Sequence, residues 1–234
     1  MDSIQSYQKQ ARASGILFLM AILTGIIGAV LFGGLSNFGA DITQFSENRL
    51  KILFGSFMIL LMGIACASIA IPLYPIMKKQ NQPMALAAVS FRLLESVSHI
   101  FNVILFLVLL NLSSEYAASE VSNQSYYVIL NSTLSDLSDS LSLIGTICFN
   151  IGALMYSLII YQTKLLPRWM ASFALVGIFL ALMNQILVFF GVYTDSSIIA
   201  TMFHLPTLVY ELIFGFTMVI KGFNVEAIQQ LDQK

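Results

Sequence analysis

Charge is scarce in this sequence. Asp, Glu, Lys and Arg make up 10% of its 234 residues, against about 25% in a water-soluble domain, so the chain lacks the polar surface to remain in water. The 11 basic and 12 acidic residues leave a formal net charge of −1, which gives no electrostatic case for a nucleic-acid partner. Only two cysteines occur, Cys66 and Cys148, both inside hydrophobic runs where a thiol is a small packing residue; neither a disulfide nor a metal pair is indicated. The two histidines form no HExxH pair, so no metal is expected, and no glycine-rich phosphate loop follows a strand, so no cofactor is expected either. Ser96 and Ser98 lie close to His99 in sequence, but such neighbours point apart on a helix, and no hydrolase machinery shows.

Apolar length is what the chain does have. Hydrophobic residues fill 58% of it, in several runs longer than the roughly 18 residues that mark a membrane-crossing helix. The expected fold is all-α: one membrane domain over residues 1–234, a polytopic bundle of six transmembrane helices at about 14–34, 52–77, 84–112, 141–161, 168–193 and 198–222. The first run has no small-residue cleavage site after it and reads as a retained helix rather than a signal peptide. With the N-terminus inside, Lys9, Arg12, Lys78, Lys79, Lys164, Arg168, Lys221 and Lys234 are cytoplasmic and only Arg49 and Lys51 are outside, so both termini are expected in the cytoplasm and the protein in the cell membrane.

The connections agree. KKQNQP and QTKLLPR make tight inner turns, and Pro83 suits the start of the third span. Pro72 and Pro75 predict that the second span kinks or unwinds near its end. In the Ser/Asn-rich outer loop 113–140, Tyr127, Leu130, Leu134, Leu137 and Leu141 recur at helical spacing, which predicts a segment lying on the membrane or an outward extension of the fourth span. The same loop holds the acceptor triplets NLS, NQS and NST, which so Ser/Asn-rich a stretch produces by chance. Ala21, Gly25, Ala29 and Gly33 form a small-residue seam for close helix packing. Three spans plus three would permit an inverted repeat, with Glu95 and Glu211 in corresponding positions, although the halves show no evident similarity.

Against this background a few charges stand out. Arg92 and Glu95 interrupt the third span and Glu211 the sixth; each costs roughly 2.5–3.5 kcal/mol at mid-membrane, so such groups pair, face inward and mark function. Arg92, Glu95, His99 and Asn102 are 3, 4 and 3 residues apart, which at about 100° per residue puts them within an arc of about 80°. Glu95 lies 11 residues from one end of its span and Glu211 11 from one end of its own, so both come about 16 Å deep, with Asn150 at a similar level. His99, Asn102, Asn184 and His204 form a layer about 22–27 Å from the inner face, with Gln185 nearby; if their helices are neighbours, the polar groups make one core open to the outside.

One arginine cannot neutralise two glutamates. The unmatched carboxylate must be protonated, faced by a charged histidine, or accompanied by a cation or cationic ligand. The expectation is a buried Arg–Glu–Glu site that binds or translocates a small ligand, cation or proton, with Asn150 as hydrogen-bond donor and His99, Asn102 and His204 as further candidates. Two alternatives stay open: a membrane-embedded enzyme acting on a lipid, and a structural or regulatory subunit whose polar core only locks helices together. Lys164, Arg168 and Trp169 are ordinary interfacial anchors that could also hold a lipid headgroup; membrane lipids are the expected partners.

Several stretches carry a resemblance. ASGILFLMAILTGIIG, LYPIMKKQNQPMALAAVSFRLLES and YQTKLLPRWMASFALVGI, followed by the Glu211 region and VIKGFN, lie in order along nearly the whole chain. With FRxxE, LxPRW and E…KGF, they resemble the bacterial membrane family known as domain of unknown function 4386. The resemblance implies that Arg92, Glu95, Pro167, Arg168, Trp169 and Glu211 occupy pattern positions, as do Tyr156 and Tyr161 in CFNIGALMYSLIIY. It does not extend to His99 or His204, and it supplies no reaction.

Overall fold

Asn81 ends a tight turn by accepting a hydrogen bond from the Met84 amide, and Pro83 follows within the first helical turn. Ser197 and Asn224 cap two later helices in the same way. Each satisfies an amide that the start of a helix otherwise leaves open. Gly191 and Gly222, at φ 71° and 70°, stop the helices before them in a backbone region that suits glycine.

The computed structural model describes residues 2–33, 41–120, 124–195 and 197–233. Among them the chain is helical, without strands: α1 (Asp2–Gly33), α2 (Thr43–Glu47), α3 (Arg49–Met77), α4 (Gln82–Ala118), α5 (Gln124–Thr163), α6 (Arg168–Phe189), α7 (Ile198–Ile220) and α8 (Val225–Asp232). Six of these, α1 and α3 to α7, are long and apolar enough to cross a membrane. The protein is a multi-pass membrane protein.

Each spanning helix packs on its chain neighbours, and α7 returns to α1, so the six close into a ring in chain order. That places α4 and α7 on opposite sides of the ring. Alternating direction gathers Lys78, Lys79, Lys164, Arg168 and Lys221 at one end, here the basic end. Gln8 ties α1 to the segment after α7 there, donating to the Phe223 carbonyl at 2.6 Å and accepting from the Phe223 amide at 2.9 Å. The amphipathic α8 then folds back, burying Ala227, Ile228 and Leu231 in the main core, while Lys79 pairs with Asp232 at 2.6 Å.

Close approaches set the tilt of α1. A Cβ on Gly15 would lie 2.8 Å from the Gly215 carbonyl of α7, whereas one on Gly28 would lie 2.8 Å from Ile59 of α3. Near the basic end α1 therefore presses on α7, and further along it presses on α3. Of the small-residue seam, Gly25 packs against Met62, but among the described residues nothing lies within 4 Å of a Cβ at Gly33.

Several elements differ from the sequence expectation. Of the kink or unwinding expected at Pro72 and Pro75, the unwinding does not occur: the helix continues to Met77. α6 stops at Phe189 rather than near 193, because Gly191 turns the chain. The short α2 and α8 carry too few apolar residues to stand out in a hydropathy reading. Of the two readings of 113–140, the extension is what forms: α5 is 40 residues long, and its Tyr127, Leu130 and Leu134 join a second core with Phe45, Ile52 and Leu109 beyond the ring. Leu137 instead stays exposed. Asn131 of the NST triplet is buried within α5, Asn111 of NLS is exposed on α4, and Asn123 of NQS lies outside the described residues.

Candidate functional site

Of the helical stripe on α4, Arg92, Glu95 and His99 line the space inside the ring. Arg92 is 1% exposed and donates from one guanidinium nitrogen to Glu95 Oε2 at 2.9 Å. Its cation also sits over two aromatic rings, Phe149 of α5 at 5.1 Å and Phe18 of α1 at 5.7 Å, contacts that stabilise a desolvated guanidinium. Glu95 Oε1 faces His99 Nε2 at 3.8 Å, too long for a hydrogen bond.

Cys66 of α3 completes this side of the ring. One ligand-type atom from each of Cys66, Glu95 and His99 lies within 4.8 Å of the others. Gly63, one turn before Cys66, makes the approach possible, since a Cβ there would meet His99 Cβ at 3.1 Å.

Across the ring, Glu211 of α7 faces the same space. Cys66, Arg92, Glu95, His99 and Glu211 line one cavity of about 370 Å³, walled by Ala21, Gly25 and Ala29 of α1 and by Gly145, Thr146 and Phe149 of α5. Among the described residues no hydrogen bond or ion pair within 4 Å reaches the Glu211 carboxylate. Toward the basic end the ring is packed with Phe18, Tyr156, Tyr210 and Phe214, none more than 1% exposed, with the two tyrosine hydroxyls 3.4 Å apart. On the other side the lining includes the exposed Ile26 and Leu208, where α1 has leaned away from α7 toward α3.

A family model described as domain of unknown function, DUF4386, matches residues 13–222. The chain belongs to this family. The match reaches into all six spanning helices, beginning partway along α1, and takes in every residue that lines the pocket. No curated protein and no solved structure matches the chain.

The remaining candidates lie elsewhere. Asn102 is held between α4 and α5, donating to Ser142 at 3.0 Å and accepting from Ser138 at 2.8 Å. Asn150 is fully buried; its amide donates to the Thr146 carbonyl of its own helix, and its oxygen has no hydrogen-bond partner among the described residues. His204 sits at the far end of α6 and α7, with Nε2 3.1 Å from the amides of Asn184 and Gln185 and 3.3 Å from Asp195 Oδ1. A hydrogen bond from His204 holds the Asp195 carboxyl below its usual range. The polar residues of the upper layer thus divide among separate helix pairs, because α4 and α7 are not neighbours.

At the basic end Lys164 and Arg168 line a second cavity, of about 570 Å³, together with Lys221. Arg168 lies over Tyr161 at 5.5 Å, and Trp169 is 62% exposed on the outer face. Sequence reasoning missed Lys221 here, Cys66 and Phe149 in the lining of the central pocket, and Phe18 and Tyr210 in the packed layer beside it. The available signal for Cys66 was its place one turn beyond Gly63, where two helices can approach closely.

Proposed function

We propose that the central pocket binds a small cation within the membrane. The observation that carries this reading is Glu211: a carboxylate midway along a spanning helix, lining a cavity with no direct partner among the described residues, opposite an Arg92–Glu95 pair that is already internally matched. Left ionised at that depth, such a group calls for a positive companion, and the cavity has room for one. The packed aromatic layer supports exchange from the end away from the lysines. By the excess of Lys and Arg, the basic end faces the cytoplasm and the protein resides in the cell membrane, with lipids against its outer faces.

Passage of the cation across the membrane would require the aromatic layer to open, so binding is the narrower reading and translocation follows only if that layer moves. A role confined to helix packing is less well supported, because a carboxylate kept for packing would be hydrogen-bonded across the ring. Thermal unfolding of the protein in lipid nanodiscs tests the proposal, titrating sodium, potassium, magnesium, manganese, zinc and choline chlorides. At least one should stabilise the wild type, by about 2.7 kcal/mol at roughly a hundredfold excess over Kd, and Glu211→Gln should lose that gain. If no cation stabilises the protein, or Glu211→Gln responds as the wild type does, the reading fails.

A further inference from the structure

We infer that Cys66, Glu95 and His99 form a metal site for a thiophilic divalent ion of the Zn²⁺ class. This names the cation of the pocket described above and rests on that reading. A thiol, a carboxylate and an imidazole, one from α3 and two from successive turns of α4, converge within 4.8 Å at the wall of a cavity. Sulfur and imidazole nitrogen suit zinc and its neighbours, whereas magnesium and calcium prefer shells made of oxygen alone.

The geometry fits tetrahedral coordination. Bonds of about 2.0–2.3 Å separate neighbouring ligand atoms by roughly 3.3–3.7 Å, close to the 3.8 Å between His99 Nε2 and Glu95 Oε1. Closing the wider spacing takes a side-chain movement of about 1 Å. Arg92 holds Glu95 by its other oxygen, Oε2, so Oε1 remains free to bind and the carboxylate is already oriented, as outer partners of metal ligands commonly arrange. Three protein ligands leave the fourth position facing the cavity, open to water or to a small ligand, with Glu211 on the facing wall.

Charge balance agrees. On binding, the Cys66 S–H bond breaks, sulfur keeps the electron pair and binds the metal, and the proton leaves through the cavity. A divalent ion with that thiolate, Glu95, Glu211 and Arg92 is neutral overall, which is the state a dry interior favours.

Chelator-stripped protein titrated with Co²⁺ and Zn²⁺ tests the assignment, read by absorption and by metal analysis after desalting. One Co²⁺ should bind per chain with a thiolate-to-cobalt charge-transfer band, and Zn²⁺ should displace it. Cys66→Ser should abolish the band and weaken binding roughly 100-fold or more, whereas Cys148→Ser keeps both; His99→Ala should weaken binding with the band shifted. Circular dichroism and gel filtration establish that the variants are folded. A band that survives in Cys66→Ser, or binding without any band, overturns the assignment. If neither Co²⁺ nor Zn²⁺ binds while another cation stabilises the protein through Glu211, the metal site falls and the pocket reading stands.

Discussion

Arg92 is held from several sides at once: buried, ion-paired with Glu95 and stacked against Phe18 and Phe149. Arg92→Met would leave Glu95 without its counter-charge and should cost about 3–5 kcal/mol, the usual penalty for stripping one partner from a buried pair. The double change Arg92→Met with Glu95→Gln should recover part of that loss, because no isolated charge remains. Unfolding midpoints in detergent check both, and an unchanged midpoint for Arg92→Met would mean the pair is not dry. Arg92, Glu95 and Glu211 were readable in the sequence because a charge inside an apolar run is conspicuous whatever surrounds it. Cys66 was not, because a thiol hardly interrupts such a run and its neighbours in space come from another helix.

Helix contacts govern how these side chains meet. Gly63→Val would force α3 off α4 beside His99, and overpacking of this kind costs about 1–3 kcal/mol. It should also draw Cys66 away from Glu95 and His99. The expected outcome is a lower unfolding midpoint, together with weaker Co²⁺ binding if the metal site stands; a midpoint unchanged from the wild type would show that the helices have room to spare. The α6–α7 junction carries a pH dependence of its own. The Asp195 carboxyl is held below its usual 3.8 in the folded state, so its stabilising contribution is complete above that value and is lost as pH falls through the folded pKa. Protection of the amides at 191–195, measured relative to the intrinsic exchange rate at each pH, should therefore fall on acidification below about pH 4, and Asp195→Asn should show the lower protection already at neutral pH. Exchange that ignores both changes would mean the His204–Asp195 contact contributes nothing. Helix spacing alone made the α4 stripe and the outward run of α5 legible, since each is a property of one helix and its 3.6-residue period.

The ring gathers Lys78, Lys79, Lys164, Arg168 and Lys221 at one end, and the orientation proposed from the positive-inside tendency has that end facing the cytoplasm. Reporter fusions at the C-terminus and at residue 120 check this: the first should be active only as a cytoplasmic reporter and the second only as an external one. Matching activity at both positions would contradict a chain that crosses the membrane an odd number of times between them. The sequence by itself determined that the chain has six segments long and apolar enough to cross a membrane and where along them its charges fall, since hydropathy and helical rise are local properties of a segment. The closed ring, the separation of His204 and Asn102 from the pocket, and the meeting of Cys66 with Glu95 and His99 were decided by the tertiary structure. Those outcomes depend on which helices approach at Gly15, Gly28, Gly63 and Gly215, a sum of many small packing terms that no single segment contains.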